Sequence, residues 1–261
     1  MPLSLKFRSV LKKKLRNRQK AFGAWTSLAH PSITEIFCRM PIDFLGIDIE
    51  HSTISQEQSQ RIIAASQAAG VACLPRIASH NAEMTKRLLD SGADGLIVPM
   101  VNSVKETQKL LKWCKYPTSG ARSFGISRAQ GYGYDFDDYV KTWNDSSVFI
   151  PQIESIEAVE NIEGILAAED VDGVMIGPYD ISGSLGIPGQ LDHKRVVDAA
   201  QKVIAACKKA GKACGTQVVD PDPKNIQAAF SAGYTFVILS SDVFLLWNWT
   251  EKVGRMVKKW A

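Results

Sequence analysis

The chain predicts a single α/β domain, a (β/α)8 barrel, and three observations point to it: eight short apolar runs, helical periodicity between them, and a recurring helix stop that feeds a run. The runs are Phe22 to Trp25, Phe44 to Asp48, Ala72 to Arg76, Gly95 to Val98, Val148 to Ile153, Gly173 to Gly177, Ala213 to Thr216 and Thr235 to Leu239. They are continuous rather than alternating, as expected of strands buried on both faces in a parallel sheet. Eight is the number that closes a barrel, and 261 residues is an ordinary length for one. Nothing reads as a linker, so residues 1–261 are expected to form one domain.

Residues 1–20 carry Lys6, Arg8, Lys12, Lys13, Lys14, Arg16, Arg18 and Lys20, and no acid precedes residue 35. Interleaved Leu3, Leu5, Phe7, Val10, Leu11 and Leu15 make this a basic amphipathic helix that covers one barrel end. A nucleic-acid patch is the competing reading; no aromatic interleaving or nucleic-acid motif accompanies the charge, so no nucleic-acid partner is expected.

Helical patterns then separate the runs, at Gln58 to Ala69, Asn81 to Ser91, Val104 to Trp113, Ala158 to Ala168, Arg195 to Ala210 and Lys224 to Ala232. Gly211 and Gly233 close two of these helices, in the left-handed capping conformation that glycine adopts cheaply. The segment from Lys115 to Tyr134, rich in glycine, breaks the rhythm. It is either a surface loop or a functional one over the barrel mouth, where Arg122 and Arg128 would meet an anionic substrate.

Composition narrows the function classes. Hydrophobic content of 45% with 22% charge suits a globular protein, and no run approaches the roughly 18 residues that span a bilayer. The first residues are basic with no apolar signal core, which predicts a cytoplasmic protein without membrane contact. Five cysteines, an odd number without close pairing, read as reduced and packed; only Cys73 lies near a strand end where chemistry would occur. Net charge is +4, which suits an anionic substrate.

In a β/α barrel the chemistry lies where strands open into loops, at their C-terminal ends. Trp25 ends the first run, Asp48 the second, followed by Glu50 and His51, and Arg76 ends the third. Gln152 and Glu154 close the fifth, and Asp180 follows the sixth. Glu154 and Asp180 are read either as an acid/base couple or as two ligands of one hard divalent ion, with helix capping as a further role for Asp180. Their neighbours favour the metal. His51 beside Asp48 is a candidate base, Arg76 a substrate cation or a structural ion pair, and Trp25 a pocket wall or core. Gly177 to Ser182 resembles a strand turning into a helix, whose N–H groups at Tyr179 and Asp180 could hold a carboxylate. None of the eight runs ends in lysine, which disfavours imine chemistry, and no G-x-G-x-x-G follows a strand.

At these residues the chain resembles the metal-dependent, class II pyruvate aldolases of the HpcH/HpaI family. The resemblance rests on Gly23-Ala-Trp25, Ile47-Asp-Ile-Glu-His51, Pro75-Arg76, Leu88-Leu-Asp-Ser-Gly-Ala93, Val98-Pro-Met-Val101, Tyr116-Pro117, Gln152-Ile-Glu154 and Gly173 to Asp180, in order over nearly the whole length. It implies a TIM barrel of the phosphoenolpyruvate/pyruvate type and reversible cleavage of a 4-hydroxy-2-oxo acid to pyruvate and an aldehyde through a metal-stabilised pyruvate enolate. Glu154 and Asp180 would bind one Mg²⁺ or Mn²⁺, with Co²⁺ or Zn²⁺ as substitutes. Arg76 would stabilise the keto oxygen, and His51, oriented by Asp48, would take the C4 hydroxyl proton. Gln152 and the N–H groups of Tyr179 and Asp180 would position the carboxylate, and Trp25 would line the pocket. The resemblance further implies a homo-oligomer, a hexamer or trimer, in which the C-terminal helix with Leu245, Leu246, Trp247 and Trp249 packs on a neighbouring subunit. Ile49 stands where the family usually has glycine, which predicts a narrower pocket or a shifted loop; Tyr179 replaces a usual alanine, and Gly120-Ala-Arg-Ser123 a usual Gly-Glu-Arg-Gly. Two rival readings are an acyl-CoA thioester lyase on a related barrel, with the basic N-terminal segment holding the CoA phosphates, and a non-catalytic binding protein that retains the pocket.

Overall fold

The structure, a computed structural model, describes residues 3–260. Eight parallel strands close into a barrel in chain order: β1 Ala21–Thr26, β2 Phe44–Asp48, β3 Ala72–Arg76, β4 Gly95–Val98, β5 Val148–Ile153, β6 Gly173–Ile176, β7 Ala213–Val218 and β8 Phe236–Leu239. Among the described residues twelve α-helices accompany them: α1 Leu3–Arg16, α2 Pro31–Phe37, α3 Gln56–Ala68, α4 Ala82–Asp90, α5 Val104–Cys114, α6 Phe136–Ser146, α7 Ile156–Glu160, α8 Ile162–Leu166, α9 Pro178–Ser184, α10 Lys194–Ala210, α11 Pro223–Ala232 and α12 Asp242–Val257. The barrel predicted from the apolar runs is the fold observed, with four of the eight strands bounded as expected and the others shifted by one or two residues.

Two apolar layers hold it together. The barrel interior packs Trp25, Phe44, Leu74, Ile97, Ile150, Met175, Phe236 and Ile238, and the larger layer lies between the strands and the outer helices. Gly46 makes room for Trp25, whose ring lies where a side chain at that position would begin. Leu11 and Leu15 of α1 join the interior cluster, so this helix plugs the end of the barrel where the strands begin. Its cations point into the same end: Lys12 Nζ donates to Asp172 and to the Ser147 carbonyl at 2.7 Å, and Arg8 pairs with Asp94.

One expected helix divides, and two open readings are narrowed. The run from Ala158 to Ala168 is two short helices, because Asn161 leaves the helical conformation between them and its side-chain amide donates to the Asn102 carbonyl. The Lys115 to Tyr134 segment does not lie over the mouth. Arg122 is buried against Asp90 at the end of α4, and Arg128 donates to Gln67 of α3 and the Ser91 carbonyl. Helices of a β/α barrel run opposite to the strands, so these helix ends mark the face remote from the chemistry. Finally, Ile49 does not narrow the mouth: it lines a separate cavity with Ile54, Asn81 and Met84, between α3 and α4.

Candidate active site

Strand ends bring the predicted residues together. Trp25, Asp48 and Arg76 sit on adjacent strands, with Asp48 and Arg76 directly paired in the β2–β3 register. Arg76 Nη2 donates to Asp48 Oδ1 at 2.7 Å, its Nη1 lies 3.2 Å from Glu50, and its guanidinium stacks 5.1 Å above the Trp25 ring. Two carboxylates and an aromatic face thus hold one cation in place. Burial pushes the Glu50 carboxyl upward, and Arg76 opposes that shift.

Across the mouth, Glu154 and Asp180 converge on Gly177. A side chain begun at Gly177 would meet Glu154 Oε1 at 3.0 Å and Asp180 Oδ2 at 3.3 Å, so glycine is what leaves the space between the two acids open. Glu154 is buried, and its Oε2 accepts from the Met100 N–H at 2.8 Å. Desolvation raises its carboxyl to about 7; Asp180 and Glu50 add to the rise, and the Met100 N–H and Arg76 oppose it. Gln152 Nε2 donates to Glu154 Oε1 at 3.0 Å, while its own Oε1 is buried without a hydrogen-bond partner. A buried acid short of positive charge beside a second acid and an orphaned oxygen is an environment that a divalent cation would complete. The donors are hard oxygens, as Mg²⁺ and Mn²⁺ prefer. No group of three or more His, Cys, Asp or Glu gathers among the described residues, so an ion here would have two protein carboxylates.

His51 is exposed at the rim. Its main-chain N–H donates to Asp48 Oδ1 at 3.0 Å, and its imidazole Nε2 lies 3.7 Å from Glu50. The carboxylate within ion-pair reach of the ring is therefore Glu50, while Asp48 fixes the turn that carries it. Tyr179 and Asp180 occupy the first turn of α9 after Pro178, where helical geometry leaves N–H groups without intrahelical partners. Tyr179 is mostly exposed and lines the cavity with both acids. Cys73 is fully buried in the outer apolar layer, which pushes its thiol well above the ordinary range and removes it from the rim.

Residues that the sequence reading missed complete the mouth. Met100 adopts φ 52° and so aims its N–H at Glu154; methionine gives no sequence signal for that conformation. Gln217, Phe244 and Thr216 line the cavity of about 340 Å³ that holds Glu154 and Asp180. Gln217 had a visible signal, a polar residue inside the apolar end of β7. The basic segment offered for CoA phosphates is spent at the opposite end of the barrel, with Arg8 and Lys12 buried there. No helix among the described residues is long and apolar enough to cross a membrane.

Comparison with known proteins agrees with this fold. The model of the HpcH/HpaI aldolase/citrate lyase family matches residues 21–248. The chain is 33% identical to the hydroxypyruvate/pyruvate aldolase of Roseobacter denitrificans over 96% of its own length and 98% of the relative's. It is 30% identical to the 5-keto-4-deoxy-D-glucarate aldolase of Citrobacter koseri, over 97% and 98%. Among solved structures, a HpcH/HpaI aldolase/citrate lyase family protein from Burkholderia cenocepacia superposes with a TM-score of 0.89 at 29% identity, covering 96% of this chain and 99% of that one. The chain belongs to the HpcH/HpaI aldolase/citrate lyase family and is an aldolase-type carbon–carbon lyase.

Proposed function

We propose that the chain reversibly cleaves a 4-hydroxy-2-oxo acid to pyruvate and an aldehyde with the help of one divalent metal ion, Mg²⁺ or Mn²⁺. The observation that carries this reading is the convergence of Glu154 and Asp180 over Gly177, in a cavity that Arg76 also lines. When bound, such an ion supplies Lewis acidity at the keto oxygen of the substrate. Glu154 and Asp180 would hold it, with Gln152 fixing the rotamer of Glu154.

Arg76 contributes a cation already positioned by Asp48, Glu50 and Trp25, so it need not reorganise as negative charge grows on the keto oxygen during C3–C4 cleavage. Its bond to that oxygen strengthens in the transition state more than in the ground state, which is what lowers a barrier. His51 takes the proton of the C4 hydroxyl, and in the reverse direction returns it to the new alkoxide. Gln152 and the N–H groups of Tyr179 and Asp180 orient the substrate carboxylate, and Trp25 closes the wall behind Arg76. Tyr179 and Ile49, the two departures that a non-catalytic relative would explain, leave the acids and Arg76 in place. Half-exposed Leu246, Trp247 and Trp249 on α12 support a homo-oligomer in which this helix is covered by a neighbouring copy, as in a trimer or hexamer; light scattering tests that.

The central test is pyruvate release, followed by a coupled assay, from a panel of 4-hydroxy-2-oxo acids with metal-stripped and metal-restored enzyme. Activity that returns with Mg²⁺, Mn²⁺ or Co²⁺ is expected. Equal turnover in the stripped enzyme would overturn the metal assignment, and no release from any member of the panel would overturn the reaction.

A further inference from the structure

Two cavities open side by side on the rim, and they share a wall. The one of about 340 Å³ contains Gln152, Glu154 and Asp180. Its neighbour, of about 280 Å³, contains Trp25, Ser27, His51 and Ser241. Arg76, Met175, Gln217 and Phe244 line both. With the keto acid end at the two acids and Arg76, the C4 hydroxyl faces His51 and the aldehyde-derived half enters the smaller cavity; the inference rests on that reading.

Electrostatics there argue against a charged aldehyde. Arg76, the one permanent cation of this lining among the described residues, is already engaged by Asp48 and Glu50. Beneath Ser27 lies the buried carboxylate of Asp242, which accepts from the Ser27 and Leu28 N–H groups and the Thr26 hydroxyl. A carboxylate or phosphate on the aldehyde would approach Asp48, and the one permanent cation of this chain's lining, Arg76, is already paired. What the cavity does offer is neutral polarity. Gln217 Nε2 donates to the Ser240 carbonyl at 3.2 Å, which anchors one end of the carboxamide and leaves its oxygen as an acceptor on the shared wall. Ser27 and Ser241 add hydroxyls, between the apolar walls of Trp25 and Phe244.

We infer that the aldehyde half is a short, uncharged hydroxyaldehyde, and that Gln217 is the residue that reads its hydroxyl. A site built to hydrogen-bond a substrate hydroxyl discriminates against an analogue lacking it, since its own polar group is then left unpaired.

The test compares glycolaldehyde, propanal and glyoxylate as aldol acceptors at fixed pyruvate: a hydroxylated aldehyde, its apolar isostere and an anionic analogue. In the parent enzyme kcat/KM for glycolaldehyde should exceed that for propanal by about tenfold, as one neutral hydrogen bond allows, and should exceed that for glyoxylate as well. Gln217→Leu should bring the glycolaldehyde-to-propanal ratio close to one; a general defect in the variant cancels in that ratio. Preference for glyoxylate in the parent enzyme, or an unchanged ratio in Gln217→Leu, would overturn the inference. Metal-dependent exchange of pyruvate methyl protons into D₂O, measured without any aldehyde, separates the two levels. Exchange with the wrong acceptor preference sinks this inference alone, whereas neither exchange nor condensation sinks the aldolase reading together with it.

Discussion

Arg76 and Asp48 are register partners on adjacent strands, and their side chains meet at 2.7 Å just where the strands end. Pairing that follows from sheet register is insensitive to loop motion. The planar guanidinium uses separate nitrogens for Asp48 and Glu50 and its face for Trp25, three contacts that an ammonium cannot reproduce together. Arg76→Lys should therefore keep the fold but lower kcat/KM by roughly 10²- to 10³-fold, comparable to the loss of one preorganised oxyanion donor. Circular dichroism and steady-state kinetics check the two halves of this expectation.

Gly177 is required by space rather than by conformation. Its first side-chain atom would come within 2.9 Å of Glu154 Cγ and 3.0 Å of Oε1. Gly177→Ala should push the Glu154 carboxylate away from Asp180 and weaken divalent-ion binding by at least about tenfold, with overpacking of about 1–3 kcal/mol on stability. Calorimetric titration with Mn²⁺ measures the first, and denaturant unfolding the second. Parental Mn²⁺ affinity in this variant would show that the two acids do not act as a pair.

Proton and metal compete for Glu154. Burial holds its carboxyl near 7 in the metal-free protein, and a metal ligand must be deprotonated. Apparent affinity for Mn²⁺ should thus rise with pH up to about 7 and level off above it, falling by about tenfold for each pH unit below. Binding at pH 6 should release close to one proton per ion. Affinity that is flat from pH 5 to 8 would remove Glu154 from the ligand set.

The barrel was legible because each strand is buried on both faces, which leaves a continuous apolar signature that no loop imitates. Glu154, Asp180, Asp48 and Arg76 were legible for a related reason: each stands at or just past the end of such a run, where a charge is otherwise out of place. Met100 was not, because its contribution comes from a main-chain N–H in a left-handed residue. Arg122 and Arg128 stayed between two readings for the opposite reason. Charges in a long glycine-rich loop resemble a functional lid, but which barrel face the loop covers depends on partners distant in sequence, Asp90 and Gln67. The Asp48–Glu50–His51 cluster was visible as a motif, yet only the turn geometry assigns Glu50, rather than Asp48, to the imidazole.

At the opposite end, Asp94 provides a test of how α1 is tied to the barrel. The side chain is fully buried beneath Arg8, at 3.7 Å, and its Oδ2 accepts from the Cys73 N–H and from Gln67. Desolvation outweighs these partners and raises its carboxyl from the ordinary 3.8 to about 6. Between those values the folded protein holds a proton that the unfolded chain has lost, so this group makes stability fall as pH rises from about 4 to 6. A rise of that size changes stability by about 3 kcal/mol across the window. Asp94→Asn cannot titrate and keeps the shape of the side chain. The stability of the parent relative to Asp94→Asn, from urea unfolding at pH 4 and pH 7, should therefore be more favourable at pH 4, in contrast to the usual gain from carboxylates as pH rises. A difference that is constant with pH would mean that Arg8 compensates the buried charge fully, and that α1 is held by an ion pair rather than by its apolar face.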